Sequence, residues 1–159
     1  MGTSNTKRPY EELSDIEKLQ KQWHKLSGLH SREEWSSAVV RAATAAEIAA
    51  NFAVRAEFSA QSTLSPDFVN SMLKWANGLA GKVERLLLPL AKSDKEKHKQ
   101  LQKLKGISEQ INKKRNAVAH QGEFCNEEEA KEAISNARDF ITQLVQFYDP
   151  SFKLKERKR

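Results

Sequence analysis

Arg115, Asn116 and His120 are the residues of this 159-residue chain whose side chains and spacing best suit chemistry. They lie within residues 113–122, Lys-Lys-Arg-Asn-Ala-Val-Ala-His-Gln-Gly, where a helical pattern runs up to a glycine. Arginine stays charged and binds phosphate oxygens in a fork, histidine transfers a proton near neutral pH, and asparagine can orient either group. Such side chains suffice for phosphodiester cleavage without a metal ion, so the sequence predicts a ribonuclease.

The residues just before Arg115 extend this candidate site. Lys113 and Lys114 are expected to bind the RNA backbone, because phosphate attracts lysine. Asn112, Asn116 and His120 follow at intervals of four, which predicts a polar column along the helix. That column adjoins a predicted buried stripe, which consists of Leu101, Leu104, Ile111 and Val118.

A long alanine-rich helix offers a partner for Arg115. Glu47 shares an otherwise apolar face with alanines and a valine, and Asn51 follows one turn later. A buried carboxylate needs a cationic partner, so we expect Glu47 or Asn51 to contact Arg115 and to fix its guanidinium. The alternative is that Arg115 only lies over the core or pairs with an acid, while His120 caps the last helical carbonyls.

Composition limits the remaining classes of protein. Lys and Arg number 27 against 21 Asp and Glu, and the resulting net charge of +6 suits a polyanionic partner. Cys125 is the single cysteine, which predicts a reducing compartment, the cytoplasm. No apolar run is long enough for a membrane span or a signal peptide, and the four histidines lack the spacing of metal ligands. We therefore expect no membrane anchor, no metal and no cofactor.

The spacing of apolar residues predicts an all-α, single-domain bundle of about five helices. The first three should cover roughly residues 10–27, 31–60 and 66–89, and the second begins with a capping box at Ser31. The fourth follows the charged connector 92–99 and ends at about His120, and the fifth covers roughly residues 127–148 and is capped by Asn126. In the third helix, the predicted core residues are Phe68, Met72, Trp75, Leu79, Val83, Leu86 and Leu87. Residues 1–9 are expected to be a disordered start, residues 10–150 the domain, and residues 151–159 a basic tail.

The segment Arg115-Asn116-Ala117-Val118-Ala119-His120 resembles the signature of HEPN domains, an arginine and a polar residue with four to six residues before a histidine. The resemblance covers roughly residues 32–148 and includes the short glycine-containing turn and the acidic-capped helix that follow. It implies a HEPN-like helical bundle acting as a metal-independent endoribonuclease, frequently a toxin or an antiphage defence component. It also implies a homodimer in which both motifs face a shared cleft, and an antitoxin or other regulatory partner is compatible with it.

Chemistry and geometry add to what the resemblance implies. His120 would move the proton of the 2′-hydroxyl or of the leaving oxygen, and Arg115 would stabilise the phosphorane, which leaves a cyclic phosphate. Residues five apart diverge by about 140° on a helix, so we expect Arg115 and His120 not to share one face. Either the helix unwinds near Gly122, or two chains combine their residues across a twofold axis.

Many HEPN toxins carry a modifiable tyrosine shortly after the histidine, where this chain has Phe124, so regulation through that tyrosine is not expected here.

Two other classes of protein are alternatives to the ribonuclease. One alternative is a non-catalytic HEPN module that dimerises or binds protein or RNA. The other, a repressor-type nucleic-acid binder, needs short helices around a tight turn, and the long helices predicted here do not resemble it.

Overall fold

The computed structural model describes residues 8–31, 33–61, 65–75 and 78–156, and this part of the chain contains helices but no strand. After a 3-10 turn at Tyr10–Glu12, the helices are α1 (Asp15–Ser31), α2 (Trp35–Gln61), α3 (Pro66–Trp75), α4, α5 (Lys95–His120) and α6 (Glu127–Gln146). We use α4 for the continuous series Leu79–Gly81, Lys82–Leu87 and Leu88–Leu90, whose middle part is a π-helix. The predicted all-α, single-domain bundle is confirmed.

Helix α2 lies at the centre of the bundle, in contact with α1, α3, α4, α5 and α6. Its buried surface consists mostly of alanines, namely Ala38, Ala42, Ala43, Ala45, Ala46, Ala49, Ala50 and Ala53. Helices approach as closely as the side chains between them allow, so this surface lets several neighbours pack around one helix. Large side chains from those neighbours, such as Trp23 of α1 and Phe140 of α6, fill the core.

The predicted boundary between the first two helices is wrong. Helix α1 continues through Gly28 to Ser31, and α2 begins only at Trp35. The reason is a backbone cap: Glu33 has a φ of 61°, its N–H donates to the carbonyl of His30 at 3.2 Å, and Glu34 N–H donates to the carbonyl of Leu29 at 3.0 Å. This is the Schellman arrangement, which usually uses glycine at the position that glutamate occupies here.

The third predicted helix is two helices. Helix α3 ends at Trp75, and α4 begins after Gly78, whose φ of +85° is incompatible with a continuing α-helix. Leu79, Val83 and Leu87 lie in the core as predicted, and Leu86 is partly buried against it. Helix α3, however, buries Val69 and Leu73 instead of the predicted aromatic side chains. Phe68 is 50% exposed and Trp75 is 86% exposed, so their prediction as core residues is wrong.

The starts of α5 and α6 follow from their caps. Asp94 accepts a hydrogen bond from Lys97 N–H at 3.1 Å, so the charged connector becomes helical at Lys95. Asn126 accepts one from Glu129 N–H at 2.8 Å, which confirms the predicted cap. The predicted end of α5 at His120 is also confirmed. Of its predicted buried stripe, Leu101, Leu104 and Ile111 are buried, whereas Val118 is only half-buried.

The segment after Pro150 packs against the bundle. Phe152 is 6% exposed and belongs to the core, and Lys155 exchanges two backbone-to-side-chain hydrogen bonds with Gln20 of α1, at 2.7 and 2.9 Å. Glu156 pairs with Arg138 at 2.8 Å. This part of the predicted basic tail is therefore ordered on the bundle surface. Residues 157–159, and residues 1–7 of the predicted disordered start, lie outside the described residues.

Candidate active site

The candidate motif lies at the carboxyl end of α5, which stays helical through His120. The chain then turns through Gly122, whose φ is +65°, and Glu123 N–H donates a hydrogen bond to the carbonyl of Ala117 at 3.1 Å. A positive φ suits glycine because any Cβ would strain that conformation. The backbone after His120 is thereby folded back onto the end of its own helix.

The structure brings the three predicted catalytic side chains together. Arg115 Nη1 lies 3.3 Å from His120 Nε2 and 3.4 Å from Asn116 Oδ1. The expectation that an unwound helix or a second chain is needed to bring Arg115 and His120 together is wrong, because they meet within one chain on a helix that continues through His120. Their Cα–Cβ bonds do diverge, but the long arginine side chain reaches around the last turn to the imidazole.

This contact places the imidazole of His120 directly beside a guanidinium. A guanidinium has only donors, so a hydrogen bond across the contact requires Nε2 of His120 as its acceptor. The pair is open to solvent, because His120 is exposed, while Arg115 and Asn116 are half-buried. A basic nitrogen and a permanent cation thus lie side by side at an accessible helix end.

A small apolar cluster holds the motif turn against α2. Val118 packs on Val39, Cys125, Ala130 and Ala133, and Trp35 contacts the same cluster. Cys125 N–H also donates to Ser36 Oγ at 3.3 Å, and burial raises the pKa of the Cys125 thiol. Both the helix before the turn and the chain after it are therefore anchored near the beginning of α2.

The predicted contact between Arg115 and Glu47 or Asn51 is absent from the hydrogen bonds and ion pairs of the described residues. Glu47 Oε1 instead accepts a hydrogen bond from Lys82 Nζ of α4 at 2.8 Å. The motif packs beside Ser36, and Glu47 lies eleven residues farther along α2, about 16 Å at 1.5 Å per residue. Lys82 is only 4% exposed, so its ammonium group needs this carboxylate as a partner. The only signal of its burial in the sequence was its place directly before Val83, a predicted core residue.

The two supporting asparagines differ from what was expected of them. Asn51 Oδ1 is buried and has no hydrogen-bond partner within the described part of the chain, so this residue does not orient Arg115. Asn112 is half-buried on α5, one turn before Asn116. The column of Asn112, Asn116 and His120 therefore exists along the helix, and its last two members contact Arg115.

The two candidate RNA-binding lysines have different surroundings. Lys113 is exposed. Lys114 is half-buried and hydrogen-bonded to Glu129, with Glu123 at 3.8 Å. The hydrogen bond to Glu129 is the main reason that the pKa of Lys114 is raised, and it also lowers the pKa of Glu129. The charge of Lys114 is thus compensated within the chain, whereas Lys113 faces solvent.

A groove beside the motif was not predicted from the sequence. It has a volume of about 410 Å³ and is lined by Leu29, Ser36, Ser37, Val40, Arg41, Thr44, Val118 and Ala119. Ala119 follows Arg115 by one helical turn, so the groove continues the face that carries the guanidinium. Arg41 donates one hydrogen bond to Gln22 Oε1 at 2.8 Å, which fixes one arm of its fork. The polar residues of α2 at these positions were the available signal.

A buried charge cluster lies at the other end of α2. Glu57 is 3% exposed and accepts hydrogen bonds from Lys97 Nζ at 2.9 Å, from Tyr148 Oη at 2.7 Å, and from Gln61 Nε2. Burial raises the pKa of the Glu57 carboxyl, but these hydrogen bonds outweigh it and leave the pKa below its usual range. Burial and the bond to Glu57 also raise the pKa of Tyr148. The cluster ties the ends of α2, α5 and α6 together.

The described residues thus form an all-α bundle with an arginine–histidine pair at one exposed helix end. Within them no three histidine, cysteine or acidic side chains are grouped closely enough to hold a metal ion. None of their helices is long and apolar enough to cross a membrane. Comparison of the chain with protein-family models, with curated proteins and with solved structures finds no match.

Proposed function

We propose that this protein is a metal-independent endoribonuclease of the HEPN type, acting in the cytoplasm as a toxin or an antiphage defence component. The observation that carries the proposal is the 3.3 Å approach of Arg115 Nη1 to His120 Nε2 at an exposed helix end. One group can stabilise negative charge on a phosphate, and the other can accept or donate a proton.

The resting contact between the two side chains suits a phosphate as the ligand. A phosphodiester that enters beside Arg115 offers the guanidinium two oxygens in place of the weaker imidazole acceptor. Nε2 of His120 is then free to take the proton of the 2′-hydroxyl. The 2′-oxygen attacks phosphorus, the bond to the 5′-oxygen breaks, and the products are a 2′,3′-cyclic phosphate and a 5′-hydroxyl. DNA lacks this nucleophile, so the substrate is RNA.

A second copy of the chain completes the reaction. The attacking and leaving oxygens lie on opposite sides of phosphorus, so an acid must protonate the 5′-oxygen while the base works on the 2′-hydroxyl. One imidazole cannot serve both sides at once. Pairing of two motifs about a twofold axis supplies His120 twice, once as base and once as acid.

The groove beside Ala119 gives the RNA strand a direction of approach. Its hydroxyls at Ser36, Ser37 and Thr44 can contact ribose and phosphate oxygens, and Arg41 retains donors beyond the one given to Gln22. Lys113 is exposed but lines a separate cleft with Lys114, Glu123 and Glu129, so it would contact RNA outside this groove. A nucleotide next to the scissile bond would occupy this groove.

The acidic turn after the motif favours a second candidate function. Phe124 is 91% exposed, and it lies beside Glu123 in a loop that leads to three successive glutamates. An exposed aromatic ring among acidic residues suits a basic protein partner better than RNA. In that case the motif belongs to a non-catalytic binding module, or the ring receives an antitoxin that regulates the enzyme.

The test is cleavage of end-labelled single-stranded RNA and tRNA in EDTA by the parent protein and by Arg115→Ala and His120→Ala. We expect the parent to leave cyclic phosphates and each variant to lose about 10²- to 10⁴-fold in rate, the usual contribution of such groups. Arg85→Ala and His24→Ala remove the same residue types from exposed positions elsewhere and should cleave normally.

A 2′-deoxy substitution at the cleaved position should abolish cleavage there. Normal cleavage by His120→Ala would contradict the proposal. So would the absence of cleavage by parent protein that is folded, dimeric and bound to the RNA, and that result would favour the binding module.

A further inference from the structure

Helix α3 presents an apolar stripe to solvent. Phe68, Met72 and Trp75 follow one another at intervals of four and three, so they lie along one side of the helix. Trp75 is 86% exposed, Phe68 is 50% exposed and Met72 is half-buried. The helix already packs on the bundle through Val69 and Leu73, so this stripe is a second apolar face that nothing in the described chain covers.

Aromatic residues and methionine are enriched where proteins bind one another, and tryptophan is among the residues that contribute most to the binding energy of such interfaces. Single exposed apolar residues are ordinary, but three along one helix side form a continuous surface. This surface is short, because ten residues span about 15 Å at 1.5 Å per residue. Its occupant is therefore expected to be another short helix.

The charges beside the stripe identify that helix. Asp67 and Lys74 are both exposed, and each directly precedes one of the two aromatic residues, so they lie on the same flank of the stripe. When two such helices pack antiparallel across a twofold axis, this flank faces its own copy in reverse order. The pair would therefore contain two contacts between Asp67 of one chain and Lys74 of the other.

We propose that α3 pairs with α3 of a second copy of this chain, antiparallel, through Phe68, Met72 and Trp75. The flanking charges let the stripe face its own copy across a twofold axis, as an isologous contact requires. The motif pairing proposed above is a different twofold contact, so α3 pairing would join such dimers into larger assemblies and would not replace that dimer. The stripe is also small beside the roughly 800 Å² per partner of a standard interface, so the pairing is weak and depends on protein concentration.

This surface is separate from the candidate active site. Asn70 of α3 accepts a hydrogen bond from Arg55 of α2 at 3.2 Å, whereas the motif turn is bonded to Ser36 of the same helix. Nineteen residues of α2 separate these points, about 28 Å at 1.5 Å per residue. The pairing does not rest on the proposed function, and it leaves the motif accessible.

The experiment uses charge reversal with exchange. Asp67→Lys and Lys74→Asp each place like charges against each other across the α3 contact, so in each variant alone the association step made by α3 should be about tenfold weaker in sedimentation velocity over a concentration series. That step is growth beyond the dimer where the motifs are already paired, and dimer formation where they are not. An equimolar mixture of the two should recover association, because every pair across the heterodimer is then of opposite charge. The double variant Asp67→Lys/Lys74→Asp should associate like the parent.

Recovery on mixing separates pairing from any effect of the charges on the helix itself, which mixing cannot repair. Trp75→Gln should weaken association without restoration by either partner, and Lys92→Asp, an exposed site away from α3, should have no effect. The proposal is overturned if the mixture associates no better than its components. It is also overturned if Trp75→Gln leaves association unchanged, or if the stripe instead binds phosphatidylserine vesicles and the protein does not self-associate through it.

Discussion

Glu57 is the residue whose ionisation contributes most clearly to folding. Because its pKa is lowered in the folded protein, its stabilising effect is present above the usual carboxyl pKa of 4.5 and is lost as the pH falls through the lower, folded value. We expect Glu57→Gln to reduce the free energy of unfolding at pH 7 by about 2 kcal/mol, since Lys97 loses its charged partner.

Urea unfolding between pH 7 and pH 3 measures this effect. The parent should lose stability on acidification more steeply than Glu57→Gln, which has no carboxylate to protonate at this position. Glu109→Gln serves as the control, because Glu109 is exposed and its contact with Lys105 is long, at 3.8 Å. Identical slopes for the parent and Glu57→Gln would show that the cluster does not link stability to pH.

At the same scale, sequence reasoning found those parts of the site that lie close along the chain. Arg115, Asn116 and His120 share one helix end, so the sequence places them close along the chain. Their direct contact was not predicted, because it depends on the conformation of the arginine side chain and not on helical geometry. Glu47 was assigned to Arg115 because both needed a partner, but the height at which two helices pack decides such contacts. Lys82 of α4 stands at the height of Glu47, and the one-dimensional pattern carries no information on that.

At the scale of elements, two glycines of α5 and its turn should respond oppositely to alanine. A Cβ at Gly106 would meet no atom within 4 Å inside a regular helix, so Gly106→Ala should raise the free energy of unfolding by about 0.5–1 kcal/mol. A Cβ at Gly122 also meets no atom, but φ is +65° there, and Gly122→Ala should lower it by about 1–2 kcal/mol.

Guanidinium chloride denaturation of the two variants measures both shifts on one scale. Effects of the same sign would contradict the assignment of backbone conformation as their cause. Gly122→Ala should also disturb the turn that follows His120, whereas Gly106→Ala changes a helix surface more than three turns away from it.

Elements were predictable where a side chain caps them and not where the backbone does so alone. Asn126 predicts the start of α6, because asparagine is a favoured N-cap residue. The end of α1 depends on Glu33 in a left-handed conformation, which its residue type does not favour. Helix α3 shows a different limit of the sequence. An apolar stripe predicts a face that avoids water, but it does not distinguish packing against the chain's own core from contact with another molecule.

At the scale of the whole molecule, the segment after α6 closes the bundle. Phe152 is buried with the core residues of the helices, so Phe152→Ala should lower the free energy of unfolding by about 3 kcal/mol, the usual cost of removing a buried ring. Lys153→Ala removes an exposed neighbour and should change stability little. Thermal unfolding followed by circular dichroism distinguishes the two, and equal melting temperatures would mean that this segment contributes nothing.

Composition predicted the class of this fold, since alanine, leucine, lysine and glutamate dominate it. It did not predict that residues 152–156 return to α1 and α6, because a short charged terminal segment looks the same whether or not one aromatic residue anchors it. Phe152 is the one aromatic residue of that segment, and its burial in the core holds residues 152–156 against the bundle.

The positions of the three tryptophans make the molecule its own optical probe. Trp23 is fully buried beneath the guanidinium of Arg138, Trp35 packs edge-on against His30 beside the motif cluster, and Trp75 projects into water from α3. An aqueous quencher such as iodide therefore reaches Trp75 most readily, the half-buried Trp35 less and Trp23 least, so Trp75 dominates the emission near the red edge of the spectrum. Light from the two ends of the bundle can thus be separated without attaching a dye.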